Sequence, residues 1–173
     1  MRFNTKRITL CGLMAALSVV FMFIGTVFPS GRMGFMAIAS LFTVAVVIQY
    51  GYLPALAVYV VSTVLGFLIL PDKAPIAFYA VFFGYYPVIK SIAEKLKKPA
   101  FGWGLKFIVF NAALTLMFVF LRQLLMLRFF DKLQGNILGI VIYIAFNIIF
   151  AVYDVGISKL IGFYMVRIYN KLR

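Results

Sequence analysis

The polar residues best suited to hold a charge or a solute lie within long apolar runs. In the last run, Tyr143, Asn147, Asp154 and Ser158 follow at intervals of four, seven and four residues, which places them on one side of a helix. A charge inside a membrane is costly unless it is paired, and the helical rise puts Lys90 at nearly the depth of Asp154. We therefore expect a Lys90–Asp154 ion pair, in a structural role rather than in proton coupling.

Aromatic side chains are dense in the fourth apolar run. Tyr79, Phe83 and Tyr86 recur at helical spacing and share one face, which either packs within the protein or stacks on an aromatic ligand. Arg122, in the fifth run, either extends to the membrane surface or binds an anionic group of a solute. A mostly apolar cavity with few polar anchors is typical of a solute site. The expected substrate-binding residues, lining one outward-opening cavity, are Tyr79, Phe83, Tyr86, Arg122, Tyr143 and Asn147.

The first apolar run contains small residues one helical turn apart. Gly12 and Ala16, with Ala15 beside them, let the backbone of another helix approach closely. Two interpretations stay open: packing inside the chain's own bundle, or docking of an external partner.

Composition argues against catalysis. The chain has four carboxylates, one cysteine (Cys11) and no histidine, so neither a Ser-His-Asp set nor a His/Cys metal site can be built. The net charge is +13, but the basic residues sit at the ends of apolar runs rather than in a stripe with aromatics, which disfavours nucleic acid. These positions suit anionic lipid head groups. We expect no enzyme activity, metal or cofactor.

The length of the apolar runs determines the fold class. The chain is 65% apolar with a mean hydropathy of +1.09, and no charged residue occurs from Met33 to Pro71. A helix pairs its backbone N–H and C=O groups internally and can therefore span lipid, whereas an open sheet would leave backbone groups unpaired. No inverted repeat is visible. We predict one all-α domain over residues 1–173, a bundle of six transmembrane helices near 8–28, 33–50, 53–70, 74–93, 106–127 and 137–160.

Basic residues also predict the orientation. One side holds the larger set: Arg2, Lys6, Arg7, Lys90, Lys95, Lys97, Lys98, Lys106, Lys159, Arg167, Lys171 and Arg173. The other side holds Arg32, Lys73, Arg122, Arg128 and Lys132. The positive-inside rule then places both termini in the cytoplasm. The first apolar run exceeds the length of a signal-peptide core and is read as a retained span.

These features together resemble a known family. Six spans with both ends inside, a short basic N-terminus and a first helix reading KRITLCGLMAALSVV from Lys6, ending at Phe28-Pro29, resemble the substrate-binding S components of energy-coupling factor (ECF) vitamin transporters. The match covers the whole chain in architecture and about residues 6–29 in motif. Glycine at position 12 departs from the alanine usual in that family.

The resemblance implies a role and partners. Gly12, Ala15 and Ala16 would dock a transmembrane coupling subunit, and two ATPase subunits would supply the energy. The chain itself would capture a small water-soluble organic nutrient at the outer face of a cell membrane, which we expect to be the bacterial plasma membrane. A metal substrate is disfavoured, since the nickel and cobalt branch needs an N-terminal histidine. The alternative is a non-transport assembly or regulatory subunit that binds protein partners or anionic lipid.

Overall fold

The computed structural model describes residues 5–96, 99–125 and 137–164, and these ranges are helical without any strand. A single 3₁₀ turn (Pro29–Gly31) joins the first two helices, and a π-helical turn (Tyr79–Phe83) joins the fourth and fifth. The described helices are α1 (Thr5–Val27), α2 (Arg32–Tyr50), α3 (Tyr52–Ile69), α4 (Ala74–Phe78), α5 (Tyr86–Ala93), α6 (Pro99–Leu125) and α7 (Ile137–Tyr164).

Six segments of the described chain are long and apolar enough to cross a membrane, which confirms the predicted number. They are Thr5–Val27, Arg32–Tyr50, Tyr52–Ile69, Pro75–Ala93, Ala100–Met117 and Ile140–Phe163. Their outward faces are apolar: Leu68 is 76% exposed, Ile108 69% and Val152 68%. Water-soluble proteins seldom expose apolar surface so continuously, and this indicates a multi-pass membrane protein.

Residues 1–106 and 107–173 form two compact units. In the first unit α2 is central, because it packs against α1, α3, α5 and the π-helical turn. Its core has two layers. One contains Val19, Met22, Met36, Ala39, Leu70, Ile76 and Tyr79, and the other contains Ala15, Val46, Ala55, Val58 and Val88.

Buried hydroxyl groups tie the helices of the first unit together. Ser18 Oγ donates to the Ala39 carbonyl of α2 at 3.1 Å, and Ser62 Oγ donates to the Ala15 carbonyl of α1 at 3.4 Å. Small side chains at these contacts let the backbones approach, and the hydroxyls link them where no water is available.

Two short turns in this unit have clear causes. Gly51 ends α2 with φ +85°, a conformation that glycine adopts without strain, and α3 begins at the next residue. At the other end of α3, Lys73 Nζ donates to the Phe67 and Leu70 carbonyls, each at 2.6 Å. The lysine thereby caps a helix C-terminus, where a positive charge is favourable.

The second unit pairs α7 with α6 from residue 107 onward. The Phe110 and Phe150 rings stack with centroids 4.2 Å apart, and the Phe107 ring meets Phe150 edge-on at 5.6 Å. Leu114 and Phe150 are buried within it. Aromatic contact between the two helices therefore forms much of the packing that the structure describes here.

Candidate functional site

The fourth membrane-length segment is interrupted where its aromatic residues cluster. The Gly84 N–H donates to the Tyr79 carbonyl at 2.7 Å, five residues back, which closes the π-helical turn. Pro87 lies in the first turn of α5, and its ring cannot accommodate the carbonyl of residue 83. The helix is thus interrupted about one turn before Pro87. Such breaks in helices often occur at functional sites.

Gly84 and three tyrosines pack closely around this break, and we call them the tyrosine cluster: Tyr59, Tyr79, Gly84 and Tyr85. The Tyr59 ring centroid lies 6.2 Å from that of Tyr79 and 6.3 Å from that of Tyr85. The Tyr59 hydroxyl also donates to the carbonyl of Ala80, a residue of the π turn, at 3.0 Å. The cluster therefore places aromatic ring surface and phenol groups side by side.

Tyr79 lies on the inner side of the tyrosine cluster. It is fully buried, and its hydroxyl lies 3.3 Å from Thr43 Oγ1, with the Ser18 and Ser62 hydroxyls also interacting with it. Of the other predicted binding residues in this segment, Tyr86 is 3% exposed and Phe83 packs against the core. Groups of the first unit surround the Tyr79 side chain. A solute could therefore contact Tyr79 only after these groups had moved.

Tyr85 is partly buried, as Tyr59 is, but it differs from Tyr59 and Tyr79 because its hydroxyl has no hydrogen-bond partner in the described residues. A phenol group midway along a membrane-length segment normally finds a partner. Sequence reasoning missed both Tyr85 and Tyr59. The sequence signal that could have identified Tyr85 is the Gly84-Tyr85 pair, in which a flexible residue adjoins an aromatic one in the middle of a span.

In the second unit, the predicted residues Tyr143 and Asn147 bind to α6. The Asn147 and Asn111 amides exchange two hydrogen bonds, at 2.9 and 3.1 Å. Tyr143 and Thr115 hydroxyls are 2.7 Å apart. Each amide nitrogen also donates to a carbonyl of its own helix at 2.9 Å. The arrangement fixes the register of α6 against α7, and the partners Asn111 and Thr115, four residues apart, were not predicted.

The predicted cation of the site, Arg122, lies in α6, but its side chain falls outside the part that the structure describes. The predicted binding residues are thus divided between the two units: Tyr79, Phe83 and Tyr86 in the first, and Arg122, Tyr143 and Asn147 in the second. The single cavity expected from all six stays a prediction.

Charged groups near the end of α5 form a compact network. Lys90 is 1% exposed and its Nζ lies 2.8 Å from Glu94 Oε1. Lys106, the first residue of the fifth predicted span, lies within α6, is buried, and its Nζ is 3.3 Å from the same oxygen. Asp154 is 2% exposed. The expected Lys90–Asp154 pair would join residues of the two units and stays a prediction.

The small residues of α1 divide between two faces. Gly12 and Ala16 are exposed, and a Cβ added at Gly12 would meet nothing within 4 Å. Ala15 is 2% exposed and packs in the core, where its carbonyl accepts from Ser62. The exposed face of α1 therefore contains Gly12 and Ala16, while the side chain of Ala15 serves internal packing.

Comparison with family models, curated proteins and solved structures finds no match for this chain.

Proposed function

We propose that this chain is the substrate-binding membrane subunit of an ECF-type importer, which captures a small water-soluble organic nutrient at the outer face of a bacterial plasma membrane. The observation that carries the proposal is Tyr85, a partly buried side chain at a helix break whose hydroxyl has no hydrogen-bond partner in the described chain. An unpaired polar group in apolar surroundings is costly. A bound solute with an acceptor or donor would satisfy it, while Tyr59 beside it supplies a stacking surface.

The proposed orientation has both termini in the cytoplasm. Lys6, Arg7 and Lys95 are exposed at one end of the first unit, whereas Arg32 at the opposite end pairs with Asp72 at 2.7 Å. An excess of cations favours the cytoplasmic side. The other basic residues that predict this orientation include eight that lie outside the described residues: Arg2, Lys97, Lys98, Arg128, Lys132, Arg167, Lys171 and Arg173.

The open face of α1 supports the proposed partners. Gly12 and Ala16 leave a shallow, uncovered backbone surface between larger exposed side chains such as Leu13 and Val20. A helix of the transmembrane coupling subunit would pack closely there, and the two ATPase subunits would act through it.

A second candidate function also has support in the contacts. Asn147 is satisfied by Asn111, and Tyr79 by Thr43, so both have a packing role that requires no solute. A non-transport assembly or regulatory subunit would have the same contacts and would use the α1 face for its protein partner.

Solute binding is tested by Tyr85→Phe, which removes one hydroxyl and keeps the ring. Because that hydroxyl has no partner in the described chain, its removal should leave the stability of the solute-free chain unchanged or slightly raised, while solute affinity should fall about threefold to tenfold. Solute retained by the purified protein is measured by mass spectrometry, with Tyr50→Phe as the matched control at a tyrosine of α2 that is not part of the cluster. Equal retention by both variants would contradict the role of Tyr85.

Docking is tested by Gly12→Leu and Ala16→Leu, each of which adds bulk to the open α1 face. Both should release the chain from its membrane partner in co-purification and leave the isolated chain folded. Ala57→Leu, at an exposed alanine of α3, is the matched control and should retain the partner. Complexes that survive both α1 changes would show that this face has no docking role.

A further inference from the structure

One end of the first unit concentrates cations next to aromatic rings. The Tyr50-Gly51-Tyr52 turn between α2 and α3 lies there, together with the N-terminal turns of α1 and the segment after α5. We call this the basic end, formed by Lys6, Arg7, Tyr50, Tyr52, Lys95 and Trp103.

The cations of the basic end lie over aromatic faces. Arg7 Cζ is 5.7 Å from the centroid of the Tyr50 ring, and Lys95 Nζ is 5.4 Å from that of Tyr52. These distances are typical of cation–π contacts. The left-handed Gly51 brings the two tyrosines to adjacent positions on one tight turn. Arg7 and Lys95 are therefore held at neighbouring places at this end of the unit.

Neither of these two cations has a carboxylate partner within residues 5–96, 99–125 and 137–164. Both are exposed, so their N–H groups are open to an external acceptor. The carboxylate at this end, Glu94, already contacts the buried Lys90 and Lys106. The basic end therefore keeps an excess of positive charge that the described chain does not neutralise.

The opposite end of the same unit is different. Arg32 pairs with Asp72 at 2.7 Å, and Lys73 donates to two backbone carbonyls at the end of α3. Its cations are thus engaged by groups of the chain. The two ends of one helical unit provide an internal comparison between open and occupied cations.

We propose that the basic end binds the phosphate head groups of anionic phospholipids, with Arg7 and Lys95 as the direct contacts. Tyrosine and tryptophan favour the membrane–water boundary, where lipid phosphate oxygens accept from arginine and lysine. This combination favours a lipid head group over a soluble polyanion such as RNA. The inference requires the proposed membrane insertion but neither solute binding nor the importer assignment.

The experiment uses the full chain in detergent with equal amounts of phosphatidylglycerol and phosphatidylcholine, and counts bound lipids by native mass spectrometry. Wild type should retain phosphatidylglycerol preferentially. A cation near an anionic membrane surface contributes about fivefold in affinity, so R7Q/K95Q should weaken phosphatidylglycerol binding about thirtyfold. The variant R32Q/K73Q removes the same charge from the opposite end and should bind as wild type does.

Several results would overturn the proposal. They are equal retention of the two lipids by wild type, equal losses in the two double variants, or displacement of phosphatidylglycerol by an equal concentration of RNA. Should R7Q/K95Q fail to fold, added salt provides the test on wild type, because it should release phosphatidylglycerol and leave phosphatidylcholine bound. Salt-insensitive binding would refute the head-group contact. Solute retention is measured separately, so failure here leaves the importer proposal standing.

Discussion

Replacing Gly84 with alanine tests whether close packing of the tyrosine cluster maintains the break in the fourth segment. An added Cβ would lie 2.5 Å from the Tyr59 ring and 2.7 Å from the Tyr79 ring. Ordinary contact begins at 3.4 Å, so the Tyr59 ring would have to retreat by about 0.9 Å. Tyr79 is fully buried and cannot yield easily.

The energetic cost of Gly84→Ala follows from these contacts. Overpacking costs about 1–3 kcal/mol, and displacement of Tyr59 weakens its hydrogen bond to the Ala80 carbonyl, worth about 1 kcal/mol. The gain in helix propensity from glycine to alanine offsets about 1 kcal/mol. The net loss of about 2 kcal/mol should lower Tm by about 4–8 °C.

Thermal unfolding of the isolated chain in detergent, followed by circular dichroism, measures this loss. Gly12→Ala is the matched control, since its Cβ meets nothing within 4 Å, and it should leave Tm unchanged or slightly raised. Tyr59→Phe should reproduce only the hydrogen-bond part, about 1 kcal/mol. A Gly84→Ala protein that melts at or above the wild-type temperature would refute the packing argument.

Two further predictions concern orientation and the second unit. In a Cys11→Ser background, a cysteine at Lys73 should react with an impermeant thiol reagent on intact cells and one at Lys95 should not; labelling at Lys95 would reverse the proposed orientation. In a double-mutant cycle, Asn111→Ala and Asn147→Ala should show a coupling energy of about 0.6–2 kcal/mol for their paired amides; additive effects on unfolding would show that the pair does not fix α6 against α7.

The spans can be predicted from the sequence because a backbone in lipid must form its hydrogen bonds internally, which favours helices. The run predicted over 33–50 forms α2 at Arg32–Tyr50, and the run over 53–70 forms α3 at Tyr52–Ile69. Charged residues and glycine mark the ends of these runs, and both signals can be read from a few adjacent residues. The start of α6 was wrong by seven residues, because Lys106 marked the predicted edge, whereas Glu94 makes its burial inside the helix possible.

Partners between helices could not be predicted in the same way. Spacing within α7 indicated that Tyr143 and Asn147 share a face, but it did not identify Asn111 on α6 as the partner. Likewise, Pro87 favours an irregular helix, but it does not identify Tyr59 of α3 as the side chain that bonds to the Ala80 carbonyl within the π-helical turn. Helical periodicity determines which face a side chain occupies. The packing of separate helices determines what that side chain meets.

The most direct measurement for the proposed function is the identity of any small molecule that accompanies the chain from its native membrane. The protein would be purified with its membrane partner, extracted, and analysed by mass spectrometry with quantification against protein. The account predicts a stoichiometric water-soluble organic compound that the Tyr85→Phe variant retains less well. Repeated preparations of folded, partner-bound protein that contain no such compound would contradict solute capture and favour the assembly or regulatory role.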